Sequence, residues 1–377
     1  MRNKISTLLV LALGMGAISC KKETPITEDP LVVPENYVFD RNGQTSVSYS
    51  GQTERLNQLS EITAVLKTAD GGTTVSEDDL IAMYENTGGD GNGNFSFSST
   101  KQLKNKTFDL DQEYFSQILK DAALVSADGT AGIQAANGTA GLITRGGNGK
   151  TILVDENGFE FTQIFEKGLM GGVMYYQILN VYLTDAKLGP AVDNENIVEN
   201  KNYTSMEHHW DEAFGYYGAP TDFKSDYQGP GSIGFWAKYS DKFDNTIGQF
   251  NNEGMDPYKA GRAAIVAKRY DLMNVKVDDM NVYLGRVAAA AAIHYANEAK
   301  ALTDQGDILH VLSESFAFVR ALRFSNPDNR EMSPSQVDAL LASTFGGNLW
   351  TVTTSDLDNF INDLSSAFGL EAVKDIL

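Results

Sequence analysis

Residues 278–324, DDMNVYLGRVAAAAAIHYANEAKALTDQGDILHVLSESFAFVRALRF, decide the fold class of this chain. Apolar side chains recur at helical spacing on both sides of the polar connection Thr303-Asp-Gln-Gly306-Asp, which predicts helices over Asp278 to Thr303 and Asp307 to Phe324. So short a connection makes the two helices antiparallel neighbours. The run Val287 to Ile293 (VAAAAAI) supplies small side chains that suit close approach between helices. The same period continues outward, predicting helices over Phe159 to Asp185, Tyr203 to Tyr217, Gly231 to Gly248, Asp256 to Val275, Ser333 to Phe345 and Ser355 to Phe368. Their ends carry helix punctuation: Ser333-Pro334-Ser-Gln336 is a capping box with Pro at the first helical position, and Gly346-Gly347 stops that helix. No strand pattern competes over the last two hundred or so residues.

The N-terminal third is less regular. Tyr37 to Gly51 alternates apolar and polar residues around Asn42-Gly43, as extended chain around a turn does. Helical spacing begins at the capping candidate Thr53, with Leu56, Leu59, Ile62, Val65 and Leu66, and returns after Ser76 and over Asp109 to Val125. Two Gly-rich stretches lie between these segments and the apolar helix. Asp90-Gly-Asn-Gly-Asn94-Phe95 opens like a calcium loop, but Phe95 occupies the position of the sharp-turn Gly and Lys101 that of the bidentate Glu. Thr144-Arg-Gly-Gly-Asn-Gly149-Lys150-Thr151 ends like a phosphate-binding loop, yet Thr144 stands where its first Gly belongs and a turn at Gly158 follows in place of a helix. Neither is read as a ligand site. The expected fold is all-α, built of helical bundles with irregular Gly-rich loops in the N-terminal third. Residues 37–377 form the helical region, with 37–225 and 226–377 as candidate sub-bundles.

Composition limits the function. With 30 basic and 50 acidic side chains the chain carries a formal charge of -20, which opposes a nucleic-acid partner held by phosphate neutralisation. A single cysteine excludes internal disulfides and thiolate metal clusters. That cysteine, Cys20, follows Arg2 and Lys4, the apolar run Ile5 to Ile18 and the small-residue stretch Ala17-Ile18-Ser19, the layout of a secretory signal. Its place resembles the lipid-attachment cysteine of a bacterial lipobox. Residues 1–19 are therefore expected to be a lipoprotein signal peptide and Cys20 the acylated first residue. Residues 20–36, with three prolines and mixed charge, read as a tether. The expected location is the cell envelope, on an outer-membrane lipoprotein facing periplasm or surface, with the membrane as a partner through the anchor.

Two of the four histidines sit in Glu207-His208-His209-Trp210-Asp211-Glu212 on a predicted helix. Residues three and four apart share a helix face, so His208 aligns with Asp211 and Glu212, and His209 with Glu212. Imidazole and carboxylate at that spacing suit one divalent or ferric ion, or a carboxylate that orients the imidazole. The bland alternative is a polar helix surface with Trp210 and Phe214 packed inward. A second candidate cluster is Glu298, His310 and Glu314: counted outward from the connection, Glu298 and His310 fall at similar heights on neighbouring helices. The sequence has neither a zinc-protease helix with two His flanking a Glu nor a Gly-x-Ser-x-Gly elbow.

His209-x-x-Glu212-Ala-Phe-Gly215-Tyr-Tyr-Gly218 resembles the His-x-x-Glu signature of the imelysin-like family of bacterial extracytoplasmic proteins. The longer string HHWDEAFGYYGAPTDF, with Tyr37-x-Phe-x-Arg41-x-Gly43 and Leu312-Ser-Glu-Ser-Phe-Ala-Phe-x-x-Ala-Leu-Arg323, resembles a related family of bacterial lipoproteins of unknown function. The resemblance implies two packed helical bundles and a metal site at His209 and Glu212, in a protein of iron uptake or a metallopeptidase. Glu207 stands where that signature usually has Gly, and the motif lies later in the chain than in imelysins. Three functions follow as expectations. They are a lipid-anchored envelope protein that binds metal for metal or iron acquisition, an envelope metallopeptidase, and a surface module that takes a glycan or protein on exposed aromatics such as Trp210, Tyr216 and Tyr217.

Overall fold

The structure, a computed structural model, describes residues 29–377; the leader, Cys20 and most of the tether lie outside the described residues. A minimal hairpin comes first, β1 (Asp40–Arg41) against β2 (Gln44–Thr45), turning on Asn42 and Gly43 with positive φ. Then follow α1 (Ser50–Asp70), α2 (Glu77–Glu85) and α3 (Gln112–Thr130). A second antiparallel hairpin, β3 (Gly141–Thr144) with β4 (Thr151–Val154), pairs Thr144 with Thr151. The remaining elements are α4 (Phe161–Leu169), α5 (Asp185–Leu188), α6 (Ser205–Tyr217), α7 (Phe235–Phe243), α8 (Phe250–Val266), α9 (Tyr270–Ala301), α10 (Gln305–Ala321), α11 (Pro334–Phe345) and α12 (Thr354–Phe368). Apart from the two small hairpins, the fold is all-α. Residues 32–377 hold together as one compact unit.

The Ala-rich run of α9 is the centre of the core: Val287 to Ile293 have no exposed surface. Small side chains there let α8, α10 and α12 pack on α9. Ser315 donates to Ala292 O at 2.9 Å, which joins residues about equally far from the connection, as an antiparallel pair requires. The capping box at Ser333 with Pro334 and the left-handed Gly346 cap stand as the sequence places them.

Three local departures have physical causes. Pro257 lies inside α8, which begins at Phe250, so the helix tolerates the missing N–H that sequence rules place at a first turn. The break between α8 and α9 falls at Lys268, held at φ 57°, and α9 runs on through Asp278 and Asp279, because Met273 and Met280, seven apart, continue one buried face. The apolar segment after α4 is wound as π-helix over Met170–Tyr175 and Ile178–Tyr182. The Trp236 indole donates to Met170 O at 3.0 Å within this widened stretch. No described helix is long and apolar enough to cross a membrane.

Candidate functional site

The helix that carries the histidine pair, α6, is fixed at both ends. Thr204 accepts from Glu207 N and the Glu207 carboxylate accepts from Thr204 N, a complete capping box; Gly218 closes the helix at φ 83°. Its inner face is anchored by Trp210, which has no exposed surface and donates to Tyr258 O at 2.9 Å. Gly261 on α8 makes room for that indole, since a Cβ there would stand 2.0 Å from the Trp210 ring.

Two acids of the motif turn inward with Trp210. Arg262, fully buried on α8, lies 3.0 Å from Asp211 Oδ1 and 3.0 Å from Glu207 Oε1. Tyr37 donates to Asp211 Oδ1 at 2.7 Å, Ser48 N donates to Oδ2 at 3.0 Å, and Arg41 holds both oxygens of Glu207, at 2.8 and 3.0 Å. Burial pushes the Asp211 carboxyl up to about 6 despite Arg262. Burial also acts upward on Glu207, but the hydrogen bond from Arg41 and the charge of Arg262 outweigh it and hold Glu207 below the usual carboxylate range. The expected alignment of Asp211 with His208 is therefore corrected. Asp211 belongs to the ion network that ties the N-terminal segment to α6 and α8, because the buried Arg262 claims it.

The outer face presents His208, His209 and Glu212. His208 Nε2 is 3.9 Å from Glu212 Oε1, and the two side chains are 29% and 18% exposed, so solvent reaches both. Each imidazole has its Nδ1 against a main-chain carbonyl, His208 on Ser48 O and His209 on Lys187 O, both at 2.9 Å. A carbonyl only accepts, so Nδ1 carries the proton and the neutral ring is left with its lone pair on Nε2. Burial lowers both histidine pKa values and favours that neutral form. Tyr203 stacks on His208 at 4.4 Å between ring centroids. Glu212 Oε1 accepts from Gln52 at 3.0 Å and from Tyr182, at the end of the π-helical stretch, at 3.1 Å. Lys101 and Lys201 act on His208 through their charge, and Lys187 on His209; among the described residues these lysines and Lys106 form no ion pair. The face is thus rich in cations on an otherwise acidic chain.

The second predicted cluster is assembled from other partners. Glu298 pairs with His294 of its own helix at 3.6 Å. His310 lies 3.7 Å from Glu314, as its spacing implies, but the acid that meets it across the helices is Glu160, just before α4, at 2.6 Å from Nδ1. Counting residues from the connection fixes height along a helix and leaves azimuth open, which is why Glu298 was expected there. Burial acts to lower His310, but the hydrogen bond and charge of Glu160 outweigh it and raise the imidazole. Beyond Glu314 the chain of charges continues to buried Lys167, 3.8 Å away, and from Lys167 to Glu166 at 2.7 Å. Among the described residues no group of three or more His, Cys, Asp or Glu side chains is placed to hold a metal ion.

Trp210, Tyr216 and Tyr217, expected as exposed aromatics, have no exposed surface and pack in the core. Their spacing on α6 is that of its buried face. Sequence reading also missed Arg262 and Glu160. The signal for Arg262 was a lone cation within the apolar stretch Ala260 to Ala264; nothing in sequence pointed to Glu160.

A family model described as a domain of unknown function, DUF4856, matches residues 34–371. The chain belongs to this family. The DUF4856 match spans the whole described fold from the first hairpin to the end of α12, so α6, α8 and the Arg262 network all lie within it. Neither the curated proteins nor the solved structures contain a match to this DUF4856 chain.

Proposed function

We propose that this DUF4856 protein is a lipid-anchored protein of the cell envelope that binds a divalent or ferric ion on the outer face of α6 and serves metal or iron acquisition. The observation that carries the reading is the tautomer of the two histidines. Main-chain carbonyls hold both Nδ1 atoms, which is how metal-ligating imidazoles are oriented, and leave both Nε2 atoms with their lone pairs, that of His208 3.9 Å from Glu212 Oε1. The resemblance of His209-x-x-Glu212 to the imelysin-like signature supports the same choice of residues. Asp211, engaged by Arg262, is not among the ligands.

The surrounding cations shape what is bound. With no three His or acidic side chains among the described residues placed to hold an ion unaided, and with Lys101, Lys106, Lys187 and Lys201 around the face, it suits an ion that arrives with its own anionic donors, such as a carboxylate chelate. His208, His209 and Glu212 then supply the protein's donors, and the lysines hold the chelator. Glu212 Oε1 accepts hydrogen bonds from Gln52 and Tyr182, which fix the orientation of the carboxylate beside His208.

The anchor rests on the lipobox-like sequence at Cys20. Equilibrium dialysis against ferric citrate tests the site: the protein retains iron and a Glu212→Gln variant loses at least about tenfold in affinity, or 1.4 kcal/mol. Equal retention by both proteins, or by neither, rejects the reading. Cys20→Ser abolishes incorporation of labelled palmitate; retained label rejects the anchor.

A further inference from the structure

A separate cavity of about 460 Å³ opens between the C-terminal end of α1, the β3–β4 hairpin, the start of α4 and α10. Its volume is that of a small-molecule site. Its walls are well fixed. The Asp70 carboxylate accepts from Leu153 N at 2.9 Å and from the Thr162 hydroxyl at 2.8 Å, and Thr151 donates to Asp70 O, so the hairpin and α4 are fastened to the end of α1.

Five charged groups besides Asp70 line this cavity: Lys67, Arg145, Lys150, Glu160 and His310. Arg145 is taken by Asp307 at 2.8 Å, and Glu160 by His310 at 2.6 Å. What remains is a carboxylate and two ammonium groups without ionic partners among the described residues. Asp70 is buried, 8% exposed, and its two donors are neutral; Lys67 and Lys150 are exposed and meet no described acid at ion-pair distance. A buried carboxylate without a counter-cation is costly, and a cation placed against it removes the cost. Unpaired negative charge within and unpaired positive charge at the mouth are the complement of one molecule carrying both signs.

We propose that this cavity binds a small zwitterion of amino-acid size, its ammonium group on Asp70 and its carboxylate on Lys67 and Lys150. Burial and then the nearby charge of Glu160 push Asp70 up to about 7, the condition that an incoming ammonium group relieves. The Gly-rich stretch rejected above as a phosphate loop is the β3–β4 turn, which carries Lys150 to the mouth. This site shares no residue with the His208–Glu212 face.

Isothermal titration of the purified protein with the free L-amino acids, and with their N-acetyl and C-amide forms, tests the assignment. We expect at least one free amino acid to bind, and each blocked form, Asp70→Asn, and Lys67→Ala with Lys150→Ala to weaken it at least about tenfold. The lysine variants change exposed positions and keep the test valid should Asp70→Asn fail to fold. A Glu212→Gln variant binds the amino acid unchanged, which separates this site from the metal reading. The proposal is overturned if no free amino acid binds, if blocked forms bind as well as free ones, or if the folded lysine variants bind like wild type.

Discussion

Replacing Arg262 with Met removes the cation shared by Glu207 and Asp211 while keeping most of the apolar stem. Arg262 is fully buried, lies 3.0 Å from each acid, and stacks 5.0 Å over the Phe39 ring, so nothing nearby can substitute for it at Asp211. Breaking a buried pair by removing one partner costs about 3–5 kcal/mol. The pH dependence identifies the mechanism. Asp211 titrates at about 6 in the folded protein, above the ordinary carboxylate value of 3.8, so the folded state holds its proton more tightly than the unfolded chain. This group's contribution therefore falls by about 3 kcal/mol as pH rises from about 4 to about 6, at roughly 1.4 kcal/mol for each pH unit between the unfolded and folded values. Without Arg262 the carboxyl rises further, and the loss extends to higher pH. Urea unfolding should show Arg262→Met less stable than wild type by about 3–5 kcal/mol near pH 8, with the deficit shrinking by more than about 1 kcal/mol near pH 5. Adding Asp211→Asn should restore part of the loss near pH 8. A deficit below about 1 kcal/mol at both pH values, or one independent of pH, refutes the claim that Arg262 compensates these acids.

Gly261→Ala places a Cβ 2.0 Å from the Trp210 ring; we expect a loss of about 1–3 kcal/mol in urea unfolding and a shift in Trp fluorescence, and an unchanged midpoint and spectrum contradict the packing. Glu160→Gln removes the charge that raises His310, so burial then dominates and NMR titration should find the imidazole below its ordinary value of 6.5. In wild type the raised His310 stabilises the fold below pH 6.5, and that contribution is lost as pH rises through the folded-state value; Glu160→Gln should flatten this segment of the stability profile. An unshifted His310 resonance contradicts the assignment.

The helices were legible where local signals agree with packing. Ser333, Pro334, Gln336 and Gly346 spell out both ends of α11, and the Ala run of α9 announces a close-packed centre. Legibility failed where a distant partner decides. A helical wheel puts His208, Asp211 and Glu212 within one broad face, and partners distant in sequence, Arg262 51 residues on from Asp211 with Tyr37 and Ser48 far before it, hold Asp211 in the core. Likewise the i to i+4 pairs His310–Glu314 and His294–Glu298 form as spacing implies, but Glu160 reaches His310 from 150 residues away. Short hairpins with loose alternation, such as β3–β4, lack a periodic signal, and the π-helical turns before Tyr182 keep a helix-like composition. Of the α6 site, sequence supplied His208, His209 and Glu212; the carbonyls that fix the histidine tautomers come from Ser48 and Lys187, whose side chains carry no hint of that role.

In the proposed metal site His208 and His209 present their Nε2 atoms to the ion. X-ray absorption at the metal edge of zinc- or iron-loaded protein tests it directly. For zinc we predict imidazole nitrogen scattering at about 2.0–2.1 Å together with oxygen ligands, and loss of the nitrogen contribution in the His208→Ala, His209→Ala double variant. A spectrum with oxygen ligands alone, or one that the double variant leaves unchanged, contradicts the account.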